Sequence, residues 1–347
     1  MGNNNNNKWL LLLPITLVAM NLSWEHQTIL IPMVNITDYY HLAAREPFIY
    51  RMLPALLYRT LMWGHHDVLT GMNAPFDSSY SIFQLVIDTV SLVLTLLFMQ
   101  KIAQALNPRL APAITFTFAV AGALVIIVFG YYMVPNRALF YPYDFPDMCF
   151  ATIIFYLCIR LEGRAEYLLP FVIFVATLNK ETAIFYSGLH VALRAARNSD
   201  WGRTTAVLAG SVVAFLAARS LVVSLVQALA GIPKHSQQYE FHLLYTLEQF
   251  HNPLFLFAML NICSYLYIGV YLLRKKLDRT DFLILFMVAG WIAIMSVVGI
   301  VRELRIFVPA SLMMFIIIAR HLDTVVRATL RLPETSRLPG NHWSRAG

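Results

Sequence analysis

The chain has 347 residues, 59% of them hydrophobic and 13% charged, with a formal net charge of +7 and a mean hydropathy of +0.62. A water-soluble fold of this length has too little interior for so much apolar surface, which excludes a soluble enzyme or nucleic-acid binder and makes lipid the expected solvent. The apolar runs are continuous, without the alternation of a membrane barrel, so the sequence predicts an all-α, polytopic integral membrane protein.

The first apolar run follows an Asn-rich start and predicts a span over 9–24, read as an uncleaved first helix. A long connection, 25–80, comes next. It carries Asp38-Tyr39-Tyr40-His41 and then Arg45-Glu46-Pro47-Phe48-Ile49-Tyr50-Arg51. From Pro47 to Trp63 the apolar residues are interrupted by Arg51 and Arg59, eight positions apart. That spacing predicts both arginines on one face of an interfacial helix lying among lipid headgroups.

Further spans are expected at 81–100, 110–134, 146–160, 167–179, 183–194, 204–230, 253–273, 282–301 and 306–320, about ten in all. A second long connection, 231–252, holds His235, Glu240, His242, Glu248 and His251, whose spacing does not match a zinc site. Residues 1–320 thus read as one transmembrane helical domain. Residues 321–347 read as a basic, Pro-containing cytoplasmic tail, expected to be disordered. Cys149, Cys158 and Cys263 all fall in apolar runs and read as small buried hydrophobes.

Basic residues mark alternate ends of these spans: Lys8, Lys101 with Arg109, Arg160 with Arg164, Arg194 to Arg203, and Arg274 to Arg279. Under the positive-inside rule this set is cytoplasmic, and so are both termini.

Four predicted spans (146–160, 167–179, 183–194 and 306–320) have only about 11–15 uninterrupted apolar residues. They rise roughly 17–23 Å, less than the hydrocarbon thickness of about 30 Å. Polar motifs stand at their outer ends: Tyr143-Asp144-Phe145-Pro146-Asp147, Asn179-Lys180-Glu181-Thr182 and Arg302-Glu303-Leu304-Arg305. Arg219 and Asp88 fall at similar depth within longer spans. Ionisable groups at membrane depth need partners or water and commonly mark function. The expectation is a polar cavity open to the outer face. Structural ion pairs such as Lys180 with Glu181, or ordinary short loops, are the alternative reading.

Taken as a set, Pro47-Phe48-x-Tyr50-Arg51-x-Leu53-Pro54, Tyr141-Pro142-Tyr143-Asp144, Asn179-Lys180-Glu181-Thr182 and Glu303-x-Arg305 resemble bacterial membrane glycosyltransferases of the GT-C superfamily. The resemblance implies a sugar donor carried on polyprenyl phosphate and a catalytic acid in the first outer loop. By position that acid is Asp38, with Glu46 as competitor, acting as general base on the acceptor hydroxyl. Arg51, Lys180, Arg302 and Arg305 would stabilise the phosphate leaving group, with Arg219 also lining the substrate site. Glu181 and Glu303 would orient those cations, and Asp144 would bind sugar or acceptor hydroxyls.

The first outer loop lacks an Asp-x-Asp pair, which points to a metal-independent enzyme without a cofactor, a divalent ion being left open. The implied partners are the polyprenyl-phosphate-sugar donor, a glycan or lipid-linked acceptor, and membrane lipids. The implied location is the bacterial inner membrane, with cell-surface glycan assembly as the process. Lys180 stands where many relatives have arginine, and the two cations are not equivalent towards phosphate. A polysaccharide polymerase or ligase, and a lipid-glycan flippase, are the competing readings.

Overall fold

A computed structural model describes residues 6–28, 31–32, 36–42, 50–61, 79–132, 139–197, 200–230, 248, 251–298 and 304–329. The helices in chain order are α1 (Asn6–Thr28), α2 (Ile36–Tyr40), α3 (Leu53–Leu61), α4 (Ser79–Leu106) and α5 (Pro112–Ile127), which loosens into a π turn, Val128–Tyr132. Then come α6 (Asp144–Arg160), α7 (Leu168–Asn179), α8 (Ser187–Ala196) and α9 (Trp201–Ala230). The last are α10 (Pro253–Leu260), α11 (Leu266–Leu272), α12 (Arg279–Val298), α13 (Val308–Arg320) and α14 (Leu322–Thr329). Among the described residues the sole extended pairing is two residues long and parallel, β1 (Ile31–Pro32) with β2 (Leu139–Phe140). It ties the first long connection to the segment that enters α6.

The protein is therefore an all-α membrane protein with several spans. Among the described residues four helices are long and apolar enough to cross a bilayer: α4, α5 with its π turn, α9 and α12. Only 22% to 39% of their most apolar stretches is buried inside the protein, so lipid must cover the rest. Length alone does not carry the expected total of about ten crossings. Helices α6, α7, α8 and α13 have 17, 12, 10 and 13 residues, which is about 15–26 Å of rise.

These short helices have a definite place. α13 buries every residue from Val308 to Ile317, and Ala319 as well. α6 is buried on nearly all sides. A helix apolar all round belongs in the interior, and α6 and α13 pack against each other and against α4. Around them α4 packs on α1 and α5, α7 on α9, and α12 on α8. The close approach of α5 to α13 needs Gly122, because a Cβ there would lie 2.6 Å from the Phe315 ring.

One end of the bundle gathers the basic turns. Glu166 pairs with Arg194 at 3.0 Å and faces His190 at 3.4 Å. Arg320 pairs with Asp278 at 2.8 Å and also with Asp281. Asn107 donates to the Ala319 carbonyl at 2.6 Å, closing the turn after α4 onto the end of α13. The exposed rings of Tyr167, Trp201 and Tyr271 lie at this end too, the usual level of an interfacial aromatic belt.

Three expectations need correction. Arg51 and Arg59 do not share a helical face: α3 begins only at Leu53, leaving Arg51 outside the helix. Pro54 is the cause, since continuing the helix backwards would drive its ring into the Tyr50 carbonyl. Arg59 instead donates to the carbonyls of Tyr40 and His41, at 3.3 and 2.9 Å. Second, the stretch 253–273 is not one helix, because Cys263, Ser264 and Tyr265 adopt left-handed backbone (φ 58°, 52° and 58°) between α10 and α11. Third, helical structure continues past 321 as α14, where Arg327 pairs with Asp323 at 2.9 Å and Leu322 is buried. Residues 330–347 lie outside the described residues.

Gly122→Ala is expected to cost about 1–3 kcal/mol by overpacking against Phe315. Gly290→Ala, which meets nothing within 4 Å, is expected to be neutral or slightly stabilising. Thermal unfolding of the two variants in one detergent checks the contrast.

Candidate functional site

At the end opposite the basic turns, the short helices stop early and their polar ends meet. Asp144 and Asp147 occupy the first turn of α6, where unpaired backbone N–H groups and the helix dipole favour carboxylates. Pro146 is tolerated there because a first-turn residue needs no intrahelical N–H bond. Lys180 ends α7 in extended conformation and Glu181 opens a 3-10 turn, Glu181–Tyr186, leading into α8. Arg305 lies on the 3-10 turn Leu304–Phe307 before α13.

Three ion pairs bring these segments together. Arg305 donates to Asp144 at 2.8 Å, Lys180 to Asp147 at 2.7 Å, and Arg51 holds Glu181 in a two-point contact of 2.6 and 3.1 Å. Tyrosines complete the layer. Tyr186 donates to the second oxygen of Asp147 at 2.6 Å, and Arg51 donates to the Tyr143 hydroxyl. The Arg305 guanidinium lies 3.4 Å above the Tyr141 ring. Asp144, Asp147, Lys180 and Arg305 are all buried, so each of their charges depends on its partner.

The backbone of this layer is pinned from three sides. The carbonyl of Pro142 accepts from Gln84 at 2.7 Å, that of Tyr143 from Asn179 at 3.1 Å, and that of Asp144 from Tyr131 at 3.3 Å. Gln84 also donates to Asp88 at 2.7 Å and accepts from Tyr40 at 2.6 Å. Asp88 in turn faces His26 at 3.7 Å. On α12, Trp291 stacks on Tyr186 and donates to the Ile306 carbonyl at 2.8 Å, steadying the turn that carries Arg305.

Comparison with protein-family models, with curated proteins and with solved structures gave no match. The site is therefore read from its own residues.

Of the residues the sequence singled out, Arg51, Asp144, Lys180, Glu181 and Arg305 share this layer. Arg219 on α9 stands beside it, 5.7 Å from the Tyr50 ring and close enough to act electrostatically on Glu181. Asp38 is exposed on α2, next to Tyr39, whose hydroxyl donates to the Arg51 carbonyl. Glu46, Arg302 and Glu303 lie outside the described residues. Lys180 pairs with Asp147 and not with its neighbour Glu181, because adjacent residues point to different sides of the chain. Sequence reading left out Asp147, Tyr143, Tyr186 and Gln84 as site residues. Asp147 had a signal: three positions after Asp144, it shares that residue's helix face.

Among the described residues, Arg51, Lys180 and Arg305 pair with Glu181, Asp147 and Asp144, with the cation Arg219 beside them and the carboxylate Asp88 joined to the layer through Gln84. Several buried polar atoms of this end lack a hydrogen-bond partner among the described residues: Asp88 Oδ2, Asp144 Oδ2, Asn179 Oδ1 and Thr182 Oγ1, and on the cationic side Arg219 Nη1. The layer thus has acceptor oxygens for hydroxyl groups and a guanidinium N–H for an anion.

Lys180→Met should destabilise the protein by about 3–5 kcal/mol, because it strands the buried Asp147 charge. Adding Asp147→Asn should recover part of that loss, since the amide oxygen still accepts from Tyr186. Unfolding midpoints of the single and double variants report both effects.

Proposed function

We propose that this is a membrane glycosyltransferase of GT-C type, moving a sugar from a polyprenyl-phosphate-linked donor to an acceptor at the outer face of the bacterial inner membrane, for cell-surface glycan assembly. The observation that carries this reading is a buried layer of paired charges in which a carboxylate oxygen of Asp144 and a guanidinium nitrogen of Arg219 lack partners among the described residues. A lipid-linked sugar phosphate offers hydroxyls to Asp144 and an anion to Arg219, with Arg51, Lys180 and Arg305 adding positive potential around the leaving group.

Orientation rests on the positive-inside rule. The basic turns and both termini are placed in the cytoplasm, which sets the charged layer in the outer half of the bilayer. The short central helices then fit as crossings of a locally thinned or water-filled region. Charged groups at that depth are sustained by mutual pairing and by access to the outer solvent.

In the proposed reaction the acceptor hydroxyl loses its proton to Asp38 as its oxygen bonds to the anomeric carbon. The bond from that carbon to the phosphate oxygen breaks, and the electron pair leaves with the lipid phosphate. The exposure of Asp38 supports this role, because an acceptor can reach it from solvent. Glu46 is the other candidate for the base. Asp144, already fixed by Arg305, suits sugar hydroxyls better than proton abstraction.

The test is sugar transfer in membranes, scored with a prenyl-phosphate sugar and an acceptor extract. Asp38→Asn should lower transfer by at least about 10²-fold, with insertion and abundance unchanged. Full transfer by Asp38→Asn and loss in Glu46→Gln would move the base to Glu46. Translocation of donor lipid without any new glycosidic bond would make the protein a flippase, and extension of an existing lipid-linked chain a polymerase or ligase.

A further inference from the structure

A second group of cations stands at the other end of the molecule, away from the charged layer. The turn between α11 and α12 presents Arg274, Lys275 and Lys276 in succession, all exposed. It follows directly on Tyr271 and Leu272, which are 62% and 72% exposed at the end of an apolar helix. Such residues sit where hydrocarbon gives way to headgroups, so the three cations project into the headgroup layer.

Among the described residues the acids next to this turn are paired elsewhere. Asp278 is held by Arg320 at 2.8 Å, and Asp281 by Arg320 and His321. Those contacts fold the acidic side of the turn back onto the end of α13. Hydrogen bonds from the Arg274 and Lys276 amides to the carbonyls of Tyr271 and Leu273 fix the turn itself. Arg274 is further set in place: its guanidinium lies 4.3 Å from the Tyr271 ring centre, and one nitrogen donates to the Tyr271 carbonyl at 3.2 Å. That leaves its remaining N–H groups for a phosphate oxygen, with two lysine ammonium groups next in sequence.

We infer that the Arg274-Lys275-Lys276 turn is a binding site for the phosphate headgroup of an anionic glycerophospholipid. The lipid's acyl chains would lie along the exposed apolar face of α11 that ends in Leu272. Exposed Phe282 and Phe286 on α12 offer further apolar surface beyond the turn. A soluble anion would gain only the charges. A lipid gains the charges and the apolar contact together, and for that reason it is the chosen occupant.

Native mass spectrometry of the full chain in detergent, titrated separately with phosphatidylglycerol, phosphatidylcholine and inorganic phosphate, tests the site. The wild type should retain phosphatidylglycerol at least about tenfold better than the variant Arg274→Gln/Lys275→Gln/Lys276→Gln, each lost cation weakening the attraction several-fold. Phosphatidylcholine should bind both equally, and inorganic phosphate should not displace the lipid. Equal retention of phosphatidylglycerol by wild type and variant would overturn the inference, as would displacement by inorganic phosphate. Lys101→Gln removes an exposed basic residue from α4, near the end of that helix on the same side, and should leave retention unchanged. An equal loss in that control would mean diffuse charge instead of a site, and would also overturn it. Matching unfolding temperatures in phosphatidylcholine show that the variants remain folded.

Discussion

An ionised carboxylate buried in a membrane-embedded bundle is costly unless a cation pairs with it, and three such pairs organise the site end of this protein. Asp144, Asp147 and Glu181 each have one dedicated basic partner, drawn from a different part of the chain. The partners arrive on the loop before α3, the end of α7 and the turn before α13. Removing any one would leave its mate uncompensated in a low-dielectric surrounding. The three pairs therefore fix how four chain segments meet, and the helices that deliver them have to end at a common level.

The shortness of α6, α7, α8 and α13 follows from that level. Each stops or starts where its charged residue must stand, so the bundle is thin at its centre and thick at its rim, where α4, α5, α9 and α12 run long. Burial runs the same way, with α6 and α13 enclosed and the long helices apolar towards lipid. Backbone irregularities collect near the site. The π turn after α5, the left-handed turn Cys263–Tyr265 and the 3-10 turn Leu304–Phe307 pack against one another, with the Phe129 and Tyr265 rings 4.9 Å apart. Such breaks are tolerated at membrane depth where other protein segments enclose them.

Much of this was legible in the sequence, and for definite reasons. Helical runs such as 81–100 and 204–230 announce themselves by continuous apolarity, and the motifs at 143–147, 179–182 and 302–305 by charge at the wrong depth. Partner choice was not legible. Nothing local says that Lys180 reaches back 33 residues to Asp147 while Arg51 crosses 130 residues to Glu181. The placement of Arg51 was misread because its eight-residue spacing to Arg59 imitates a helix repeat, whereas Pro54 ends the helix before it. The break at Cys263–Tyr265 had no glycine or proline to mark it, and tertiary contact between Ser264 and Ser311 accompanies it.

The central claim is that charged motifs far apart in the chain form one buried layer, and Asp144 with Arg305 is its most distant pair, 161 residues apart. A double-mutant cycle over Asp144→Asn and Arg305→Gln, read from unfolding free energies in detergent, tests it directly. Residues in direct contact couple by about 0.5–3 kcal/mol, and a buried ion pair belongs at the upper end, so a coupling of about 2 kcal/mol or more is expected. Additive effects, with coupling within about 0.3–0.5 kcal/mol of zero, would mean that the two motifs do not meet and that the layer does not exist as described.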